Sequence, residues 1–384
     1  MSLFDCSAKT RSLYIHWPFC PYRCHFCPFV AMAGQDQFMQ QYHNALKKEI
    51  LAFVASCPEK IELDTIYFGG GTPSTYPNEL LLDTFGILKD AFMFSKNIEI
   101  TIEVNPGTIK PGQLAFFQSV GINRMSVGIQ SLNDEILRGL NRHQKASDVY
   151  ALLNKAFEFV PNVSVDVILG LPGVSAYEWR ALLKKLISWP IKHLSLYMLE
   201  VHENTQLFFK VKSKTLVLPP DDALVEQYFW SQDFLQRNGF EQYEVSSFAK
   251  PGFHSRHNTV YWERKPYKAF GLGACSFDGA KRMQNEKNLM QYMKNSETSN
   301  WQEPFCEVLT NQQVRIENIM LGLRRVTGVS YEQVMQGLSD EEKQRREEII
   351  FQLEQRSLLK KDGDRLLLLP HDLALENEII TQLS

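Results

Sequence analysis

The chain has 384 residues, of which 44% are hydrophobic and 22% are charged, and its net charge is −3. This length predicts two or three domains, and the near-neutral charge argues against a chain-wide basic surface for nucleic acid. Seven unevenly spaced cysteines, no secretory signal and no run of roughly eighteen apolar residues favour a cytoplasmic protein without an integral membrane segment.

Six short apolar runs predict buried β-strands, and stretches with helical spacing lie between them. The runs are LYIHW from Leu13, TIYFGG from Thr65, IEITIEV from Ile98, RMSVGIQ from Arg124, VSVDVILG from Val163 and HLSLYMLE from His193. After the first run, Phe38, Tyr42 and Leu46 share one face of a helix, and PGQLAFFQSVG predicts another helix that ends before Gly121. Because strand and helix alternate, we expect right-handed βαβ units and a parallel sheet, either a barrel or an open sheet.

The remaining chain predicts an aromatic, loop-rich extension and a small helical domain. Asp221 or Asp222 is expected to cap a helix that Gly239 ends. From about Trp301 the pattern is three helices, the turn KDGD, the strand RLLLLP and a final helix, which resembles a winged helix. Residues 301–384 carry 10 lysines and arginines against 15 acidic residues, so we expect docking or structure there and no nucleic acid. The predicted domains are 1–215, 216–300 and 301–384.

Three of the seven cysteines lie together in the segment YIHWPFCPYRCHFCPF. Cys20, Cys24 and Cys27 have the spacing C-x3-C-x2-C and follow the first predicted strand. Such a set can hold three irons of a [4Fe–4S] cluster and leave the fourth iron open to an exchangeable ligand. The alternative is a zinc site completed by His16 or His25, although zinc sites usually split their ligands into two separated pairs.

Polar residues follow the ends of the next predicted strands. The segment GGGT, 69–72, ends the second strand, Glu103 ends the third and Gln130 ends the fourth, while Arg142 follows in LNRHQ and Asp166 lies on the fifth. In a β/α barrel the carboxyl ends of the strands meet at one face. Acidic, amide and basic groups at one face predict a site for a single polar ligand, which the glycines would admit closely. The alternative is a set of separate capped turns and surface charges.

The cysteine spacing and the polar set resemble the radical S-adenosylmethionine (SAM) superfamily. In that superfamily the amino and carboxylate groups of SAM chelate the open iron, and an electron from the cluster cleaves SAM to methionine and a 5′-deoxyadenosyl radical. The resemblance implies a [4Fe–4S] cluster and SAM as cofactors here. It also implies an α/β fold, a partial (β/α)6 radical SAM barrel followed by a C-terminal extension and a small winged-helix-like domain.

Further motifs resemble one branch of the superfamily, which holds oxygen-independent coproporphyrinogen oxidases (HemN) and radical SAM haem chaperones (HemW). They are FGGGTPS, EVNPGT, GINRMSVGIQS, GLPG, YEVSSFAKPG, HNTVYW and MLGLRRVTGVS, and they span nearly the whole chain. The resemblance implies SAM contacts at Tyr14, Phe29, Gly70, Gly71, Thr72, Glu103, Gln130, Arg142, Asp166 and Glu200, with the backbone of Phe29 and Glu200 completing the adenine pocket.

Two features resemble the chaperones rather than the oxidases. The oxidases carry a fourth cysteine at the position where this chain has Phe29. They also carry an extension before their first strand, whereas the first predicted strand of this chain begins by Leu13. The chaperone motif H-N-x-x-Y-W is intact and implies a haem site at His257, Asn258, Tyr261 and Trp262. From the residues alone, the alternative is an aromatic plug that closes one end of the barrel.

We therefore expect a radical SAM protein that binds haem, delivers it to haem-accepting proteins and takes electrons from a donor. The alternative is an enzyme that decarboxylates coproporphyrinogen III to protoporphyrinogen IX. A third hypothesis, a cluster with a purely structural role, predicts no SAM binding. Three positions depart from the branch: Asn141 replaces a glycine, Val174 a glutamine and Phe277 a histidine. Because asparagine tolerates positive φ, we expect the turn at Asn141 to survive.

Overall fold

The structure is a computed structural model that describes residues 4, 10–298, 301, 304–369, 373 and 376–384. Its strands are β1 (Ser12–Trp17), β2 (Phe19–Cys20), β3 (Met32–Ala33), β4 (Glu62–Gly70), β5 (Met93–Val104), β6 (Arg124–Gln130), β7 (Asn162–Leu169), β8 (His193–Met198), β9 (Glu241–Gln242), β10 (Ser247–Ala249), β11 (Lys268–Phe270), β12 (Cys275–Phe277), β13 (Lys281–Gln284), β14 (Phe305–Val308), β15 (Val329–Ser330), β16 (Lys360–Asp362) and β17 (Arg365–Leu367).

Helices fill the connections between the strands. They are α1 (Met39–Ser56), α2 (Asn78–Ala91), α3 (Gln113–Val120), α4 (Asp134–Gly139), α5 (Ala146–Phe159), α6 (Ala176–Leu186), α7 (Gln206–Lys212), α8 (Asp221–Arg237), α9 (Arg256–Trp262), α10 (Leu289–Glu297), α11 (Asn311–Leu323), α12 (Tyr331–Met335), α13 (Asp340–Gln355) and α14 (Glu376–Leu383). Within the described ranges, none of these helices has the length and apolar character needed to cross a membrane.

One nine-stranded sheet dominates the fold, with the strand order β11-β1-β4-β5-β6-β7-β8-β10-β9. The six predicted strands are β1, β4, β5, β6, β7 and β8, and they run parallel as expected. Helices α1, α2, α3, α5 and α6 lie in the connections between successive members of this set. The predicted α/β architecture with a central parallel sheet is confirmed.

The central strands present alternate residues to the helices and to the interior of the sheet's curve. On β1, Leu13, Ile15 and Trp17 are fully buried in the main hydrophobic core. Tyr14 lies between them and points the other way, because successive side chains of a strand face opposite sides. The register pairs Tyr14 with Tyr67 of β4. Polar and aromatic side chains of neighbouring strands therefore meet on the inner face.

The extension predicted at 216–300 is not separate from this sheet. β11 pairs in parallel with β1 at one edge, while β10 and β9 add antiparallel strands beside β8. The helix cap predicted at Asp221 or Asp222 is wrong, because α8 begins at Asp221 after Pro220. Both carboxylates lie in the first turn, where the helix dipole favours negative charge. Gly239 follows the helix with φ +78°, as expected.

A second hydrophobic core lies in the C-terminal part and gathers side chains from residues 319–383, mainly of α11, α12, α13 and α14. Strands β15, β17 and β16 form a small antiparallel sheet in that order. The turn between β16 and β17 contains Gly363, with φ +60°. The elements follow the order of the winged-helix prediction, although Pro370 of the predicted strand lies outside the described residues.

Candidate functional site

A cavity of about 450 Å³ lies at the carboxyl ends of the central strands. Cys20, Cys24 and Cys27 line one side of it, and the rest of the wall combines polar residues at the ends of β4, β5, β6 and β7 with apolar side chains such as Ile168, Met198 and Leu199. The predicted SAM-binding residues that line it are Phe29, Gly70, Gly71, Thr72, Glu103, Gln130, Arg142, Asp166 and Glu200. The volume suits one small ligand, since ligand pockets usually measure roughly 300–1,000 Å³.

The three thiols have polar neighbours within the cavity. Cys20 Sγ lies 3.0 Å from Thr72 Oγ1, and Arg142 Nη1 donates to Cys24 Sγ over 3.7 Å. Burial raises the pKa of the Cys20 thiol to about 11 and also raises the pKa of Cys27. Because thiolates are the form that binds metals, loading iron here must release protons.

The described ranges contain no group of three or more histidine, cysteine or carboxylate side chains that could hold a single metal ion. A [4Fe–4S] cluster needs no such shared position, because each cysteine binds a different iron.

The histidines of the zinc alternative have other partners. His16 Nδ1 lies 3.1 Å from Tyr14 Oη, and His16 Nε2 lies 2.9 Å from the carbonyl oxygen of Val30. His25 Nδ1 lies 3.2 Å from the carbonyl oxygen of Gly139, and His25 is absent from the described residues that line the cavity. Both ring nitrogens of His16 are therefore engaged, so His16 is not available as a zinc ligand. His25 lies outside the cavity that the thiols line.

Glu103, at the end of β5, is held from two sides. Tyr67 Oη donates to Glu103 Oε1 at 3.0 Å, and the backbone N–H of Gly70 donates to Glu103 Oε2 at 3.1 Å. Removal from bulk water raises the pKa of Glu103 to about 7, and the charge of Asp166 acts in the same direction. Each carboxylate oxygen has a second lone pair. A cationic ligand in the cavity would favour the ionised form of Glu103.

Four side chains around the cavity each keep a buried atom without a hydrogen-bond partner among the described residues: Asn105 Oδ1, Gln130 Oε1, Arg142 Nε and Asp166 Oδ1. Other atoms of the same side chains are bonded. Arg142 Nη2 donates to the carbonyl oxygen of Gly128 at 2.6 Å, and Ser126 Oγ donates to Asp166 Oδ2 at 2.8 Å. Buried polar atoms usually have partners. These four are among fourteen such atoms in the described chain, and a polar ligand in the cavity that bears both donors and acceptors would pair with them.

An irregular strand end brings Gln130 to the cavity. The register between β6 and β7 shifts between Gly128 and Gln130, and Gln130 has φ +63°. Positive φ is uncommon outside glycine, and such strain clusters at binding sites. Asn141, immediately before Arg142, has φ +57°, so the turn expected at Asn141 is confirmed.

The glycines of GGGT have a packing role beside the predicted ligand approach. A Cβ atom at Gly71 would lie 2.5 Å from the carbonyl oxygen of Pro18, and one at Gly70 would lie 2.7 Å from the ring of His16. Gly70 also has φ +121°, which side chains other than hydrogen rarely allow. These glycines let the cysteine loop pack directly on the end of β4.

Tyr14 is the predicted SAM residue that the described lining of the cavity does not include. Its hydroxyl lies beside His16, and its ring stacks on Tyr67 with 6.1 Å between centroids. At the mouth of the cavity Phe29 is 65% exposed. Glu200 Oε2 lies 3.3 Å from His202 Nε2, and both residues line the cavity.

The predicted haem residues lie on α9, away from the cavity lining. His257 is fully buried, with Nδ1 2.8 Å from Thr65 Oγ1 and Nε2 2.8 Å from Tyr261 Oη. Both ring nitrogens are engaged, so ligation of haem iron by His257 requires at least one of these hydrogen bonds to break. Asn258 and Trp262 are partly exposed. This arrangement fits the alternative interpretation of the motif, an aromatic plug, and the haem role of the motif stays a prediction.

The other two departures from the branch lie outside the cavity lining. Phe277 is buried on β12, with the guanidinium carbon of Arg264 4.7 Å from the ring centroid. Val174 packs against hydrophobic side chains of the cores. Neither change alters the wall that the thiols and the carboxylates share.

Sequence reasoning missed several residues of the cavity wall, among them Tyr67, Tyr22 and His202. Tyr67 lies two residues before Gly69 on β4. Residues two apart on a strand face the same side, so this spacing could have placed Tyr67 on the same face of the sheet as Gly69. Tyr22 Oη accepts a hydrogen bond from Asn105 Nδ2 at 2.7 Å. His202 lies in the loop after β8, where no local pattern marks it.

Three comparisons relate the chain to known proteins. The model of the Radical SAM superfamily matches residues 14–186. The protein "Heme chaperone HemW" of Bacillus subtilis (strain 168) is 32% identical over 323 residues, which are 83% of this chain and 85% of that protein. "Heme chaperone HemW" of Synechocystis sp. is 33% identical over 333 residues, which are 84% of this chain and 79% of that protein.

Among solved structures, coproporphyrinogen III oxidase (HemN) from Escherichia coli superimposes with a TM-score of 0.84. The match covers 98% of this chain and 92% of that one, at 23% sequence identity. At this identity the likeness establishes the radical SAM fold and does not by itself assign the oxidase reaction.

Proposed function

This chain belongs to the HemW-type proteins of the radical SAM superfamily, and from that premise we propose that it is a haem chaperone, which binds haem and delivers it to acceptor proteins. Membership of the superfamily implies an iron–sulfur cluster and SAM. We infer haem as the ligand from the HemW relatives, which are haem chaperones. A reducing compartment such as the cytoplasm suits unpaired cysteines.

One observation carries the cofactor part of the proposal. Three thiols face a cavity whose wall also contains four buried polar atoms without partners in the described chain. A polar ligand bound beside a cluster would satisfy those atoms. A purely structural cluster offers no reason for them.

Each group of residues around the cavity has a separate role in this proposal. Cys20, Cys24 and Cys27 hold a [4Fe–4S] cluster with one open iron, and the cluster supplies an electron for SAM cleavage when both are bound. Glu103 and Asp166 attract the cationic parts of SAM, and Arg142 attracts its carboxylate. Thr72, Gly70, Gly71 and Gln130 complete the wall, and the backbone at Phe29 and Glu200 borders the adenine.

The haem ligand needs an accessible donor. His257 was predicted for this role, and a ring nitrogen can bind iron only after its bond to Thr65 or to Tyr261 breaks. His202 offers a comparison, because its imidazole lines the cavity and is 41% exposed. If His257 ligates iron, His257→Ala shifts the haem Soret band or lowers haem affinity, and His202→Ala does neither. If only His202→Ala changes haem binding, the iron ligand is His202 at the mouth of the cavity.

The decisive experiment separates the chaperone from the oxidase on one sample. The protein is reconstituted anaerobically with iron and sulfide, titrated with haem, and then incubated with coproporphyrinogen III, SAM and a reductant. The proposal predicts haem binding and transfer to an apo-haemoprotein, with no protoporphyrinogen formed. Formation of protoporphyrinogen over many turnovers would establish the oxidase instead.

A further inference from the structure

The H-N-x-x-Y-W motif forms a helix that is anchored to the strands of the barrel. Ser255 Oγ accepts the N–H of Asn258 at 3.3 Å and caps α9. The carboxylate of Glu99 accepts the N–H groups of Arg256 at 3.1 Å and His257 at 2.9 Å. The start of α9 is therefore fixed against β5, which also carries Glu103.

His257 projects from this helix against β4. It bonds Thr65 on one ring nitrogen and Tyr261 on the other, and its ring stacks on Tyr67 with 5.0 Å between centroids and 28° between planes. Burial lowers the pKa of His257 to about 3, so the ring is neutral near pH 7. Thr65 and Tyr67 share a face of β4 because they are two residues apart. One imidazole thus fixes two neighbouring positions of that strand.

Tyr67 is the link from this helix to the cavity. Its ring stacks on His257 and also on Tyr14, with 18° between the planes of the two tyrosines. Its hydroxyl donates to Glu103 Oε1 at 3.0 Å inside the cavity. With two rings packed on it and its hydroxyl bonded to Glu103, the phenol is held in one orientation, and Glu103 receives its donor from that direction.

We infer that His257 is a positioning residue for the SAM site: it holds Tyr67, and Tyr67 holds the carboxylate of Glu103 toward the ligand. This inference rests on the proposed binding of SAM in the cavity. It gives the motif a role that needs no contact with haem. Loss of the imidazole uncovers one face of Tyr67, and the phenol can then turn away from Glu103.

The test measures SAM affinity in anaerobically reconstituted variants at equal cluster content. Tyr67→Phe removes only the hydroxyl and should weaken SAM binding about tenfold, because a hydrogen bond to a charged group is lost. His257→Ala should weaken it severalfold. The double variant should bind no worse than Tyr67→Phe alone, since both changes act through one contact.

Two further variants keep the inference falsifiable. His257→Phe retains a ring against Tyr67 and should restore SAM affinity to within about twofold of wild type, even if His257→Ala folds poorly. Thr259→Ser is the matched control on the same helix, since it keeps the hydroxyl that donates to the carbonyl oxygen of Ser255 at 2.8 Å; it should leave SAM affinity unchanged.

Wild-type SAM affinity in His257→Ala, or additive losses in the double variant, would overturn the inference and leave the proposed function standing. Absence of SAM binding by the reconstituted wild-type protein would overturn both. Haem titration of the same variants gives the contrast with a ligand role, because His257→Phe cannot ligate iron yet should bind SAM.

Discussion

Replacing Glu103 with glutamine removes one negative charge from the cavity and keeps the size of the side chain. Glu103 accepts hydrogen bonds from Tyr67 and Gly70, and it retains lone pairs for a ligand. A charge-assisted hydrogen bond contributes about 1.5–3 kcal/mol, so Glu103→Gln should weaken SAM binding by roughly 10- to 150-fold. The loss should approach the upper part of this range where Glu103 is fully ionised.

The pH dependence of this loss follows from the pKa of Glu103, which burial raises to about 7. Below that pH the wild-type carboxyl is protonated and loses its advantage over glutamine. Above it the charge is present. The ratio of the two dissociation constants should therefore rise about tenfold from pH 6 to pH 8. Titration of SAM itself affects both proteins equally and cancels in the ratio.

The assay is equilibrium binding of SAM to reconstituted protein at pH 6, 7 and 8, with iron content measured on every sample. Glu200→Gln is the control, because that side chain is 77% exposed at the cavity mouth and should change affinity less than about threefold. Equal affinities of Glu103→Gln and wild type, or a ratio that is flat with pH, would refute the role given to Glu103.

Three other changes have defined outcomes. Cys20→Ser should abolish iron binding, whereas Cys306→Ser, at an exposed position of β14, should retain it; iron analysis after reconstitution decides. Gly71→Ala places a Cβ atom 2.5 Å from a carbonyl oxygen of the cysteine loop and should lower cluster occupancy, while Gly86→Ala enters open space on α2 and should stabilise the fold by about 0.5–1 kcal/mol. Burial raises the pKa of Glu244 from 4.5 to about 7. The unfolded chain therefore ionises first, and the free energy of unfolding should fall by on the order of 3 kcal/mol as pH rises from 4.5 to 7. Thermal unfolding of Glu244→Gln should show a flatter pH profile.

The central sheet was predictable because parallel strands are buried on both faces and appear as short continuous apolar runs. All six runs correspond to strands of the structure. The site followed from the same reasoning, since polar residues at successive strand ends must meet at one edge of the sheet. Glu103, Gln130, Arg142 and Asp166 do meet around one cavity.

Short strands and side-chain directions were beyond the sequence. β9, β10 and β11 have two or three residues each, too few for a hydrophobic period, so their pairing with the sheet was missed. Tyr14 was expected to contact SAM, but its hydroxyl lies beside His16 and the residue is not in the described lining of the cavity. The composition of the motif around His257 fits both a ligand wall and an aromatic plug. The hydrogen bonds of the His257 ring to Thr65 and Tyr261 favour the plug, and the sequence could not reveal them.

The most direct test of the account is electron paramagnetic resonance of the reduced, anaerobically reconstituted protein, recorded with and without SAM. The account predicts about four irons per chain, a [4Fe–4S] signal, and a clear change of that signal when SAM binds the open iron. Stoichiometric zinc in place of iron, or a cluster signal that saturating SAM leaves unchanged, would contradict it.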